Sequence, residues 1–291
     1  MIEVTPRGVA LVHSNTSVVV GGAPAAALAR VPHVWHVREI YSRLGSLWRV
    51  YRRLLQGAAA LPCVSAATAA QFGGRGAVTV LHDGLAGDVG RAPRSAARQA
   101  LGLPADAPTI ALLGRISDWK GQDVLVRALA EPPLRERGAL ALLAGDPWPG
   151  ADERLTAVLA LARQLGVHER VRALGFRADV ENVLGAADVV AVPSTAPDPL
   201  PGAAIEAAAA GCAVVASGHG GLPEIISDQV SGRLIPPGDP GALARVTAAL
   251  LDDPAQRQRL GAAARADVRQ RFAPERLLDG VQALYARVLD R

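Results

Sequence analysis

The sequence predicts an α/β protein built on parallel sheets, and three observations carry that expectation. Short apolar runs rich in Val, Leu and Ala alternate with Ala/Leu-rich helical segments, the pattern of parallel strands covered by helices. The alternation occurs twice, in two series separated by a Pro-, Ala- and Arg-rich stretch at 91–108. Half of the 291 residues are hydrophobic, enough for two mid-sized cores.

In the first series, strands are expected at 10–13, 33–36, 61–65 and 78–81, with helices at 23–29 and 42–55. In the second, strands are expected at 109–113, 140–144, 171–174, 189–193, 213–216 and 233–235. The helices between them fall at 122–130, 153–165, 179–185, 202–210 and 222–226. Beyond Gly238-Asp239-Pro240 the chain reads as helical to its end. The expected division is a first domain at 1–91, a second at 92–271, and a terminal helix at 272–291 that packs back toward the first.

Composition narrows the function classes. No apolar run reaches the length of a membrane span, and residues 1–10, which carry Glu3 and Arg7, lack the apolar block of a signal peptide. The expected location is therefore the cytoplasm. Cys63 and Cys212 stand far apart among small apolar residues and read as reduced packing groups. Residues 1–91 hold nine Arg against four acids, whereas 92–291 hold 22 basic and 23 acidic residues. The positive excess of the first third suits either a solvated surface or an anionic partner such as a phospholipid. The segment 42–56 sharpens that choice: Arg43, Arg49, Arg52 and Arg53 stand beside Leu44, Leu47, Trp48, Val50, Leu54 and Leu55. It reads as a helix packed on the sheet with a solvated Arg face, or as one lying peripherally on a membrane at the inner face. Nucleic acid is not indicated, because no recognition motif accompanies the basic residues.

Three turns carry candidate chemistry. Gly114-Arg115-Ile116-Ser117-Asp118-Trp119-Lys120-Gly121 follows an apolar strand and precedes a helix, an arrangement that aims backbone N–H groups at a phosphate. Arg115 and Lys120 add two cations, and Lys120 is the sole lysine among 31 basic residues. The second turn runs from Asp198 through Gly202, Ala203 and Ala204 to Glu206. Small residues there let a ligand approach the helix start, and a carboxylate in so apolar a helix calls for a partner. The third, Gly220-Gly221-Leu222-Pro223-Glu224, is a weaker signal on the same carboxyl edge of the sheet.

Taken in order, these elements resemble the retaining glycosyltransferases of family four, which have the GT-B fold of two Rossmann-like parallel-sheet domains. The resemblance covers nearly the whole chain. It implies that Gly114, Arg115, Lys120 and Gly121 bind the diphosphate of a sugar-nucleotide donor. The family's paired glutamates fall on Asp198 and Glu206. Glu206 would hold the ribose and Asp198 the sugar hydroxyls, with the shorter Asp altering reach. Phe176 and Arg177 lie in the segment implied to abut the base, Gly202, Ala203 and Ala204 at the phosphate-facing helix start, and His36 opposite the donor sugar. The reaction implied is transfer from a UDP- or GDP-type donor, with retention, to an unidentified small-molecule, glycan or lipid-linked acceptor. It uses no metal and no cofactor beyond the donor itself.

Complete members of that family begin with further βα units, so the first domain here is expected to be incomplete. Its missing part would be supplied by self-association, a partner chain or membrane contact. Two alternatives stand beside the transferase: a non-catalytic nucleotide-sugar-binding or partner-binding module, and an epimerase on the same fold. A dinucleotide-dependent dehydrogenase fits less well, since no G-x-G-x-x-G follows a first strand. The transferase reading requires Arg115 and Glu206 to face one crevice.

Overall fold

The structure, a computed structural model, describes residues 8–42, 44–74 and 77–290. Glu3, Arg7 and Arg43 lie outside the described residues. The chain divides into two compact units. One comprises residues 1–84, 197–200 and 272–291, and the other 85–196 and 201–271.

In the first unit, β1 (Val12–Ser14), α1 (Gly22–Ala29), β2 (His33–Trp35), α2 (Leu47–Gln56), β3 (Leu61–Cys63), α3 (Ala66–Ala70) and β4 (Val78–Val80) follow one another. β1 pairs with β2 and β3 with β4, all in parallel. Single bridges from Val34 to Ala60 and from Val37 to Cys63 connect β2 to β3. β2 and β3 are buried along their whole length, as expected of strands covered on both faces. Their core gathers Trp35, Val37, Leu55, Leu61, Cys63 and Phe72. The last helix of the chain, Pro274–Leu289, sets Leu284 and Val288 against Val34 and Ala60.

The helix expected at 42–55 starts only at Leu47. Gly45 takes a left-handed φ of 53°, and the chain up to Arg49 is held by three-residue turns such as Leu47 N–H to Leu44 O at 3.1 Å. Leu55 of α2 is buried, whereas Leu47, Val50 and Leu54 are exposed. Among the described residues no helix is long and apolar enough to cross a membrane. Cys63 and Cys212 are free and buried, and burial pushes their thiols up to about 12 and about 11.

The second unit opens with α4 (Arg94–Ala100), a helix inside the stretch that the sequence suggested as a linker. Its anchor is Arg98, whose buried guanidinium donates to the carbonyls of Pro104, Ala105 and Ala107 and to Asp188. Residues 91 and 92 are tied into the same unit, Ala92 N–H bonding Glu181 O at 3.0 Å and Arg91 bonding Ala187 O at 3.1 Å. There follow β5 (Thr109–Leu113), α5 (Gln122–Ala130), α6 (Pro132–Arg135), β6 (Leu140–Ala144) and α7 (Glu153–Gln164). After a 3-10 turn at His168–Arg170 come β7 (Val171–Gly175), α8 (Val180–Ala186), β8 (Val189–Val192), α9 (Gly202–Ala209) and β9 (Val214–Ser217). The unit continues with α10 (Leu222–Ile225), β10 (Arg233–Ile235), α11 (Pro240–Asp252) and α12 (Pro254–Arg271); the terminal helix already described is α13.

The six strands form one parallel sheet in the order β10-β9-β8-β5-β6-β7. β5, β6, β8 and β9 are buried throughout. That explains why they read in the sequence as continuous apolar runs and not as alternating ones. Strand order reverses beside β5, whose neighbours are β6 and β8, and in open α/β sheets such a reversal leaves a crevice at the carboxyl ends of the strands.

Candidate functional site

Two glycine turns meet at that crevice. Gly114 directly follows β5 and Gly145 directly follows β6. Gly145 adopts a φ of 143°, and a Cβ there would stand 2.2 Å from the carbonyl oxygen of Gly114. No other residue type fits, so main chain touches main chain. The contact is continued by Gly114 N–H to Ala144 O at 2.9 Å and Ile116 N–H to Asp146 O at 3.0 Å. At the far end of the first turn, Gly121 takes a φ of 82° against Pro193, and Thr195 N–H bonds Trp119 O at 2.8 Å. Gln122 closes the loop by donating to Arg115 O at 2.9 Å. The cationic turn is therefore braced on both sides by the ends of neighbouring strands.

A cavity of about 600 Å³ opens here, lined by Gly114, Arg115, Phe176, Arg177, Ala203 and Glu206 together with part of the β6 turn. The guanidinium of Arg115 stacks 3.4 Å from the ring centroid of Trp148, which holds the flat group while leaving its N–H edge free for an anion. Ala203 lies in the first turn of α9, where the helix presents its positive end; the amides of Ala204 and Ile205 already bond the carbonyl of Pro201, at 3.0 and 3.4 Å. Glu206, one turn further on, is half-buried, and desolvation raises its pKa. The partner that its apolar surroundings call for is absent: among the described residues the carboxylate makes no hydrogen bond or ion pair. Arg177 forms a two-pronged ion pair with Asp179 at 2.8 and 2.6 Å, and Asn182 also donates to that carboxylate at 2.9 Å. Asp179 is held down to about 2, first by the hydrogen bond from Arg177 and then by that from Asn182. Phe176 is 75% exposed at the rim.

The remaining candidates are placed differently. Lys120 is half-buried, its Nζ 4.3 Å from the Trp119 ring centroid, and Gly121 is buried beneath it. Neither lines the cavity, and neither does Gly202. Ala204 is wholly buried, so its side chain packs inward and offers a ligand nothing. Asp198 is buried and groups with the first unit, as does His36. His36 stacks on His13 at 5.6 Å, and His13 Nδ1 shares a 2.7 Å hydrogen bond with the Tyr285 hydroxyl. Burial above all, then the nearby Arg38 and His13, lowers the His36 pKa to about 4, so the ring is neutral near neutral pH.

Residues that the sequence reading passed over also shape the cavity. Trp148 braces Arg115, and Gly145 permits the main-chain contact. Among the described residues the buried hydroxyls of Ser117, Ser194 and Ser217 have no hydrogen-bond partner; Ser217 ends β9, and Ser194 and Ser117 lie in the loops that follow β8 and β5. One signal was available: Gly114, Gly145 and Gly175 stand at the carboxyl ends of three adjacent strands, Gly175 pairing with Ala144 across a register shift.

An open parallel sheet with a cavity at its reversal point is the architecture of a nucleotide-binding α/β domain. Solved structures give the same class for the chain, which has the GT-B fold. HepE of Anabaena, crystallised with UDP and glucose, aligns with a TM-score of 0.88 and 31% identity over 96% of this chain and 78% of its own. Sucrose-phosphate synthase of Thermosynechococcus elongatus aligns with a TM-score of 0.84 and 26% identity, over 97% of this chain and 74% of its own. Residues 93–267 match the family described as glycosyl transferases group 1, and the chain belongs to that family.

Among its relatives are D-inositol 3-phosphate glycosyltransferases of Saccharomonospora viridis, 41% identical over 66% of this chain and 46% of theirs, and of Mycolicibacterium smegmatis, 36% identical over 74% and 48%. The chain thus spans about half the length of these curated relatives.

Proposed function

We propose that the protein is a glycosyltransferase whose carboxyl-edge cavity binds a nucleoside-diphosphate sugar, with UDP as the nucleotide. The observation that carries this reading is that Arg115 and Glu206 line one cavity, the cation braced on Trp148 and the carboxylate desolvated without a partner. A ribose diol satisfies such a carboxylate with two O–H donors, and a diphosphate satisfies the guanidinium beside it. The structures of HepE with UDP and with UDP-glucose support the choice of donor.

Sugar transfer builds negative charge on the departing diphosphate. Arg115, Lys120 and the first amides of α9 would stabilise it, the kind of preorganised electrostatics that dominates such catalysis. With two cations in this role no metal is needed, and the leaving phosphate can take the acceptor's proton in a front-face, retaining displacement. The names of the relatives favour a phosphorylated cyclic polyol such as an inositol phosphate as the acceptor. Asp198 and His36 are retained as candidate sugar-handling residues, to be tested as Asp198→Asn and His36→Ala. The anomer formed, read by proton NMR of the product, tests retention, and transfer in excess EDTA tests metal independence.

The decisive experiment is calorimetric titration with UDP and UDP-glucose. Arg115→Ala, Lys120→Ala and Glu206→Ala should each weaken binding about tenfold or more, as expected for loss of a charge-assisted contact. Three variants that bind like the parent would overturn the site assignment.

A further inference from the structure

The second unit holds another cavity, of about 650 Å³, at the opposite edge of its sheet. Asp188 and Ala213, which line it, immediately precede β8 and β9, so it opens at the amino edge of the sheet, whereas the Arg115–Glu206 pocket lies at the carboxyl ends of β5, β6 and β7. β8 and β9 each span four residues, so the amino and carboxyl edges of the sheet lie on the order of 13 Å apart along these strands.

Its lining is cationic. Arg91, Arg94, Arg257, Arg265 and Arg269 converge on it from the segment before α4, from α4 itself and from α12. Small residues leave the floor open: Ala210 and Gly211 directly follow α9, and Gly261 of α12 lies so close to Gly211 that a Cβ there would stand 2.2 Å from its carbonyl oxygen. That close approach of α12 to the end of α9 is what carries Arg265 over the cavity.

The protein supplies too little negative charge to match these cations. The Asp188 carboxylate is 6% exposed and already shared: Arg94 and Arg98 pair with it, Arg257 stands 4.0 Å away, and the Thr109 amide donates to it at 2.9 Å. Arg269 pairs with Asp88 at 2.6 Å. Among the described residues Arg91 is met only by the carbonyl of Ala187, and Arg257 chiefly by those of Leu250 and Leu251. Arg265 has no hydrogen-bond or ion-pair partner among the described residues. Among the described residues the five lining guanidinium groups, with Arg98 behind the wall, thus draw their ion pairs from two carboxylates, Asp188 and Asp88, while Asp106 acts on Arg98 from further off. A solvated Arg face would spread such charges apart on a convex surface. Here they are drawn from distant parts of the chain into one concavity, where their mutual repulsion is relieved by an anion of matching multivalence.

We propose that this cavity is a second ligand site, taking a compound that bears two or more phosphates at the edge of the sheet opposite the Arg115–Glu206 pocket. Bidentate guanidinium–phosphate contacts supply the recognition, and the floor of small residues accepts the body of the ligand. The same chemistry suits a free phosphorylated metabolite and the headgroup of a phosphorylated lipid, and the experiment separates them.

The test is calorimetric titration of the full chain with inorganic pyrophosphate at physiological salt, where diffuse surface binding is screened. It is run on Arg115→Ala/Lys120→Ala, so that the carboxyl-edge pocket is silent. Binding should persist in that variant and should fall about tenfold or more when Arg265→Glu is added, and further with Arg91→Glu. Because Arg265 makes no hydrogen bond or ion pair among the described residues, Arg265→Glu should melt like its parent without ligand, which separates loss of a site from loss of the fold.

In parallel, the chain is sedimented with phosphatidylcholine vesicles doped with a phosphoinositide. Pyrophosphate binding without vesicle binding assigns a free metabolite, and vesicle binding that requires Arg265 assigns a headgroup. Pyrophosphate heat that disappears with Arg115 and Lys120, or survives Arg265→Glu unchanged while vesicles do not respond to that substitution, overturns the proposal. Titration of the parent with UDP-glucose reports on the other pocket, so failure of either reading is seen separately.

Discussion

The two edges of the second unit's sheet solve the problem of charge in opposite ways. At the carboxyl edge part of the wall is main chain, Gly114 against Gly145, and the charges are of both signs, Arg115 and Arg177 with Asp146 and Glu206; the half-buried carboxylate of Glu206 has no partner among the described residues. At the amino edge the walls are long side chains, and one nearly buried carboxylate, Asp188, is shared among several guanidinium groups. The first edge is shaped by what the backbone can do and leaves a polar group unsatisfied. The second is shaped by side chains and over-supplies one sign. Ligand binding can therefore be prepared either by an empty hydrogen-bonding position or by uncompensated charge, and the two call for different tests.

The largest effect should come from Asp188→Ala. It leaves the buried Arg98 without its counter-ion and the Thr109 amide without an acceptor, and should cost about 3–5 kcal/mol of stability in urea unfolding. A loss near zero would show that the carbonyls around Arg98 suffice, and the contrast between the edges would dissolve. Next comes Gly145→Ala. The added methyl meets the Gly114 carbonyl in a backbone region that L-residues avoid, so the turn must move. A destabilisation of about 2 kcal/mol together with loss of UDP binding is expected, whereas a variant that binds UDP normally would show that the main-chain contact is not what shapes the cavity.

The smallest effect belongs to Glu206→Gln, and its sign is diagnostic. The folded-state pKa of Glu206 is raised by desolvation, so stability linked to its protonated form is full below the ordinary carboxylate range and lost as pH rises through the folded value. At pH 7 the Gln variant should therefore melt slightly higher than the parent while binding donor less well, and the difference in melting should close as pH falls toward 4.5. A variant less stable than the parent at pH 7 would mean that the carboxylate has a partner in the protein.

Much of the second unit was legible in the sequence because its strands are buried on both faces. The runs at 109–113 and 140–144 coincide with β5 and β6, since each is a nearly unbroken apolar stretch bounded by turn residues, while 233–235 coincides with β10, a half-buried edge strand that opens on Arg233. α4 was not legible. Its stretch is rich in Pro, Ala and Arg, and what fixes it is Arg98 meeting Asp188, a contact ninety residues away in sequence. The late start of α2 followed from the left-handed Gly45, which helical periodicity does not register.

At the site, the glycines and cations of the β5 turn could be read locally. That Trp148 holds Arg115 could not, because it depends on the parallel pairing of β5 with β6. The pull of an apolar helix on Glu206 was evident from its alanine neighbours, but the missing protein partner became evident only in three dimensions.

The main-chain contact at Gly145 also bears on engineering. A floor made of peptide groups offers no side chain to exchange, so mutagenesis has no handle there for altering ligand preference. Diversity has to be introduced at the lip, where Phe176 is largely open to solvent and Arg177 is tied to its own aspartate. A library confined to those two positions would explore selectivity while leaving the load of folding on the glycines untouched.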